Sequence, residues 1–148
     1  MYASLSAILA DKGNAVYSVS PTDTVQDAVN VMVARNVGAV LVLEGGNRPV
    51  GIFTERDVLV RVVGEGKHAS SVLVSEVMTP DFFVVKPSLS VREAMSIVTE
   101  TRCRHLPVVE NGLVVGVISI GDLTKWVARD SEIEIRHLVN YITGQYPL

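Results

Sequence analysis

Val19-Ser20-Pro21-Thr22-Asp23-Thr24-Val25-Gln26-Asp27-Ala28 returns 66 positions later as Val85-Lys86-Pro87-Ser88-Leu89-Ser90-Val91-Arg92-Glu93-Ala94. In each stretch a short strand-like run meets a proline, which has no N–H for a ladder and ends the strand. A hydroxyl and a carboxylate then stand three residues apart, Thr24…Asp27 and Ser90…Glu93. This is the pattern of a capping box, in which the two side chains satisfy free N–H groups at a helix start. The correspondence persists through Val42-Leu43-Glu44 and Val108-Val109-Glu110. One residue is then lost, and Val50-Gly51-Ile52-Phe53-Thr54-Glu55-Arg56-Asp57 matches Val115-Gly116-Val117-Ile118-Ser119-Ile120-Gly121-Asp122. Two copies are too few for a solenoid, so the repeat predicts a closed pseudo-twofold pair.

Each copy predicts strand–helix–strand–strand–helix. The leading strands are residues 16–19 and 83–85. The helices after them carry core faces at Val25, Ala28, Val29, Met32 and Val33, and at Val91, Ala94, Met95 and Val98, at helical spacing. Valine-rich strands follow at 37–43 and 106–109, with turns at Gly45-Gly46-Asn47 and Asn111-Gly112. Third strands at 50–53 and 114–118 run into helices beginning near Thr54 and Ser119. The fold class is α/β (α+β), two small sheets with helices. Residues 1–14 form an N-terminal helical segment with Leu5, Ile8 and Leu9 on one face. Residues 15–63 are the first repeat, 64–80 a connector and 81–128 the second repeat. Residues 129–148 are expected to form a C-terminal helical segment, with Ile133, Ile135, Leu138, Val139 and Ile142 in its apolar pattern and an end at Gly144.

The composition raises one alternative. Of 148 residues 48% are hydrophobic, 28 are valine, and the mean hydropathy is +0.34. No apolar stretch approaches the roughly 18–20 residues a spanning helix needs. The longest, 37–43 and 113–118, are broken by glycine and read as buried strands. The first residues lack the basic and apolar regions of a signal peptide. A net charge of -3 with no Lys/Arg block does not suggest a nucleic-acid binder, and none is expected; the hydrophobicity and small net charge exclude disorder. Cys103 is the only cysteine, so no intrachain disulfide and no cysteine-held zinc is expected, and a reducing cytoplasm is the expected compartment. Cys103 itself reads as a small buried hydrophobe. Trp126 reads as core or dimer interface, Met78 as packing, His68 as solvated and His137 as interfacial or exposed.

Both copies read Gly-x-x-Thr/Ser-x-x-Asp across a strand-to-helix junction. A strand glycine is expected where a ligand or another backbone comes close. The hydroxyl lies beside free N–H groups that suit phosphate, and the aspartate's two oxygens suit a ribose diol. The same spacing is also a capping box that does nothing but start the helix, and the residues alone leave both readings open. Glu55 has no nucleophile or metal set around it, so no enzyme, no catalytic residue and no metal site is expected.

These stretches together resemble a tandem pair of CBS (cystathionine β-synthase) domains, a Bateman module, over residues 15–127. The second copy carries the resemblance in Val77-Met78-Thr79-Pro80, Arg104-His105-Leu106-Pro107-Val108-Val109 and 113–123. The first departs from it, with Lys12-Gly13-Asn14-Ala15 for Met-Thr-Pro and Gly38-Ala39-Val40-Leu41 for Arg-His-Leu-Pro. The resemblance implies two halves packed through their sheets, a disc-like homodimer, and clefts that take AMP, ADP, ATP, NAD or S-adenosylmethionine as regulatory ligand. It implies ribose contacts for Asp57 and Asp122 and ribose or phosphate contacts for Thr54 and Ser119. Val19, Ser20, Val85 and Lys86 would line the base pocket, and Arg104 and His105 would touch phosphate. Gly38, Ala39, Arg56, Pro107, Ile120 and Gly121 complete the implied nucleotide-binding set. Arg102, Arg104 and His105 in one copy, against Arg56 in the other, predict two unequal sites. The implied role is a sensor signalling to a separate effector protein; the alternative is a structural dimerisation or partner-docking domain.

Overall fold

The computed structural model describes residues 3–129 together with Val139 and Ile142. In chain order these are α1 (Leu5–Lys12), β1 (Ser18–Val19), α2 (Val25–Arg35), β2 (Ala39–Glu44), β3 (Arg48–Thr54) and α3 (Glu55–Asp57). α3 runs on as a π-helical segment (Val58–Val63). Then come α4 (Val74–Val77), α5 (Val91–Thr101), β4 (His105–Glu110), β5 (Leu113–Ser119) and α6 (Ile120–Ala128). β1 lies parallel to β2, which pairs antiparallel with β3; β4 pairs antiparallel with β5. Both hairpins are bulged at the same point of the repeat, Val42/Leu43 and Val108/Val109. The four capping boxes are all formed, at Thr24/Asp27, Thr54/Asp57, Ser90/Glu93 and Ser119/Asp122.

The repeat is broken at the strand expected over 83–85, where Val85 alone bridges Val108. The cause is Pro107. In the first repeat Leu41 N donates to Tyr17 O at 3.0 Å. Pro107 occupies the position of Leu41 and has no N–H to give Phe83, so the ladder stops at Val85. Val33, expected in the core, is 76% exposed. It lies eight residues beyond Val25, roughly 80° round the helix from it at about 100° per residue, which carries it off the buried stripe. The C-terminal segment and His137 fall outside the described residues apart from Val139 and Ile142.

The leading helices exchange partners. α1 precedes the first repeat but buries Leu5 and Ile8 among Val91, Ala94, Leu106, Ile118 and Leu123 of the second. α4 precedes the second repeat but buries Val74 and Val77 among Val25, Ala28, Val42 and Phe53 of the first. Equivalent backbone bonds fix both: Leu5 N to Leu89 O and Val91 N to Ala3 O at 2.8 Å each, against Val25 N to Val72 O at 2.9 Å and Val74 N to Asp23 O at 2.8 Å. The exchange also explains the motif glycines. A Cβ on Gly51 would lie 2.5 Å from Met78 Sδ and 3.2 Å from Thr79 O, and one on Gly116 would lie 2.6 Å from Leu9 Cδ2. Here the close neighbour is the exchanged helix and its C-terminal end. A third cluster, Leu41, Ile52 and Val114 with Val109 and Val117 packed against it, joins the two sheets.

Leu9 and Met78 therefore do the same job, yet they stand 69 positions apart while the leading-strand segments that follow them repeat at 66. The three extra residues on the α1 side add close to one helical turn. α1 has eight residues and α4 four.

Candidate functional site

Two clefts open between the repeats. Cleft 1, about 370 Å³, is lined by Ala15, Tyr17, Gly38 and Ala39 of the first repeat, Val117, Ser119 and Asp122 of the second, and Lys12 of α1. Cleft 2, about 990 Å³, is lined by Thr54, Glu55 and Arg56 of the first repeat. Facing them are Thr79, Asp81, Phe82, Phe83, Arg102, Cys103, Arg104 and Ile120. Each cleft thus joins the Thr/Ser-x-x-Asp junction of one repeat to the leading strand region of the other. Gly38, Ile52 and His105 border both.

Of the residues the sequence singled out, Gly38, Ala39, Thr54, Arg56, Arg104, His105, Ser119, Ile120 and Asp122 line a cleft. The others lie elsewhere. Val19 and Val85 are buried in the two cores, and Pro107 is buried in β4. Ser20 sits in the turn after β1, its N–H bonded to Asp23 Oδ2 at 2.9 Å, and Lys86 and Gly121 are exposed.

The two aspartates differ. Asp57 is 6% exposed. Its Oδ2 accepts from Thr54 N at 2.9 Å and Thr54 Oγ1 at 3.1 Å, and its Oδ1 accepts from Thr79 Oγ1 at 3.1 Å. Arg61 Nε lies 3.7 Å from Oδ1. Asp57 is thereby a tie between β3, the connector and the π-helical segment. Asp122 Oδ2 accepts from Ser119 N at 2.8 Å and Lys12 Nζ at 2.7 Å. Its Oδ1 accepts no hydrogen bond from the described residues, and the carboxylate faces cleft 1.

Charge is divided just as unevenly. Arg56 reaches cleft 2 from the first motif, and Arg102 and Arg104 from the opposite repeat, against Glu55 and Asp81. The cations that the sequence shows on different copies are brought to one cleft by the crossed architecture. Cleft 1 holds Lys12 already paired with Asp122.

His105, between the clefts, has its pKa lowered by burial and then by the Arg104 charge, partly offset by Asp122 and Glu55. Burial pushes the Asp122 carboxyl up, but the Lys12 ammonium and the Ser119 N–H outweigh it and leave it below the usual carboxylate value. Both groups bind protons less readily when folded, so both favour the folded state toward neutral pH. The His105 contribution is complete above its unfolded pKa of 6.5 and is lost as pH falls through the lower folded value. Urea midpoints measured from neutral pH downward should fall below pH 6.5, and fall less steeply for His105→Asn. Parallel curves for the two proteins would remove His105 from this role.

Several lining residues escaped the sequence reading of the site. Tyr17 and Phe83 stand 66 positions apart, an aromatic in both copies just before the strand core, and that signal was available. Lys12 was hidden because the extra turn of α1 breaks the repeat spacing. Cys103 is half-buried, its thiol donating to His105 O at 3.1 Å. Among the described residues no cluster of His, Cys, Asp and Glu could hold a metal ion, and no helix is long and apolar enough to cross a membrane.

The CBS domain model matches residues 13–64 and 74–129. The mitochondrial CBS domain-containing protein CBSX3 of Arabidopsis thaliana is 38% identical over 128 residues, 84% of this chain and 62% of that protein. The CBS domain-containing protein YhcV of Bacillus subtilis is 35% identical over 108 residues, 73% of this chain and 76% of that one. A solved CBS-domain protein from Agrobacterium tumefaciens superposes with a TM-score of 0.78 at 36% identity, covering 83% of this chain and 98% of that one. With its two matched repeats, its pseudo-twofold α/β architecture and these relatives, the chain belongs to the CBS domain family.

Proposed function

We propose that this CBS pair is a regulatory sensor that binds adenine nucleotides (AMP, ADP, ATP or a dinucleotide such as NAD) in the clefts between its repeats. On this reading the ligand biases how residues 15–63 and 81–128 sit against each other, and a separate effector protein reads the change. The observation that carries it is the crossed construction of both clefts. A molecule filling either one touches both repeats, so its affinity differs between arrangements of the pair, which is what a population shift requires. Cleft 2 has what a polyphosphate needs, three arginines with bidentate donors, and Phe82 and Phe83 are placed to stack on a base. The reading is one of binding without turnover.

Thermal denaturation with each nucleotide tests it. A ligand at 100 times its dissociation constant stabilises by about 2.7 kcal/mol. For a chain of this size that raises Tm by roughly 5–10 °C. No rise with AMP, ADP, ATP, NAD or S-adenosylmethionine at millimolar concentration would remove the sensing role. A second reading, a dimerisation or partner-docking domain, draws on the exposed Val33, Leu59, Val60 and Val63 of the first repeat. A monomer in light scattering at micromolar concentration would count against a homodimer.

A further inference from the structure

Lys12 stands where the sequence repeat offers no counterpart. The extra turn of α1 carries its ammonium to the far repeat, 110 positions away, between Asp122 Oδ2 at 2.7 Å and Val117 O at 2.9 Å. An ammonium has three N–H donors. Two are committed and one remains, on a side chain that lines cleft 1. Asp122 keeps Oδ1 uncommitted beside it. The equivalent aspartate of the other repeat is partnered differently: Asp57 is held by the Thr79 hydroxyl, with Arg61 of its own repeat 3.7 Å away, and is closed off from cleft 2.

The pair is only half-buried, the Lys12 side chain 35% exposed and that of Asp122 22% exposed. Both polar heads are accessible at one wall. Alone, Asp122 would offer acceptors to a sugar hydroxyl while repelling any phosphate attached to that sugar. With Lys12 against it, the wall is neutral and presents a donor next to an acceptor. Among the described residues, the other ionisable groups lining this cleft are His105 and Tyr17.

Resting on the nucleotide reading above, we propose that Lys12 is a specificity-determining residue of cleft 1. It holds Asp122 for a ribose hydroxyl and cancels its charge, so that a nucleoside monophosphate is admitted and not just the bare nucleoside. A purely structural Lys12, tying α1 to β5, would affect both ligands alike.

The test compares AMP with adenosine, read at the methyl NMR signals of Ala15 and Ala39, which line cleft 1 and not cleft 2. Lys12→Gln keeps a donor for Val117 O and Asp122 but removes the charge; Lys12→Arg keeps the charge. Lys12→Gln is expected to weaken AMP by about tenfold or more, adenosine by less than about threefold, and Lys12→Arg to restore most of the AMP affinity. An equal change for both ligands, or no change, overturns the role given to Lys12. A wild-type Tm that rises with nucleotide while Ala15 and Ala39 stay still overturns that role alone. No response in either measurement overturns the nucleotide reading beneath it as well. If Lys12→Gln fails to fold, the AMP-to-adenosine ratio of a Lys12→Met chain, checked for folding by its own melting curve, carries the same decision.

Discussion

Leu5→Ala is expected to cost about 2–5 kcal/mol of stability, and to loosen the repeat that Leu5 does not precede. Leu5 is 0% exposed and packs with Val91, Ala94, Leu106 and Leu123. The substitution empties a site in the second core, where the start of α1 is held by backbone bonds from Leu5 and Ser6 and to Ala3. Urea denaturation gives the loss. Amide exchange gives its location: protection should fall in α5, β4 and α6 and hold in α2 and β2. A fall confined to the first repeat would contradict the exchange of leading helices.

The two motif aspartates should separate by what their removal harms. Asp57→Ala deletes a helix cap, worth about 0.5–2 kcal/mol. It also strips the Thr79 hydroxyl and the Thr54 N–H of a buried acceptor, at about 1–3 kcal/mol for a group left unsatisfied. The expected loss is about 2–4 kcal/mol of stability. Asp122→Ala deletes a cap of the same kind in a more open setting, where Lys12 regains water. Its expected cost is about 1 kcal/mol, with loss of ligand response at cleft 1. Denaturation midpoints and nucleotide titrations on both variants check this. Equal stability losses with equal binding losses would show that the aspartates are equivalent after all.

The repeat made most of the fold legible. Proline, capping residues and Asn111-Gly112 mark the ends of elements by local chemistry, and Asn111 and Gly112 do adopt the positive φ values of 55° and 79° that such a turn needs. The exchange of α1 and α4 was not legible, because apolar periodicity shows that Leu5 and Ile8 are buried but not against which repeat. The short strand at Val85 follows from Pro107 only once Pro107 is known to sit opposite Phe83.

The site was legible in its residue types and not in its grouping. Arg56 reads in sequence as the first copy's cation and Arg104 as the second's, and the crossed clefts put them together. The Thr/Ser-x-x-Asp spacing carried two readings, and the capping box is formed in both copies. Burial of Asp57 and the open Oδ1 of Asp122 distinguish the copies, and neither follows from spacing.

The most direct measurement is a titration of the methyl-labelled wild-type chain with ATP and AMP to millimolar concentration. Saturable shifts that cross the repeat boundary are expected, with Ala15 and Ala39 moving alongside Val117 for cleft 1, and Thr54 alongside Thr79, Thr99 and Thr101 for cleft 2. Shifts confined to one repeat, or none that saturate, would contradict a ligand held between the two.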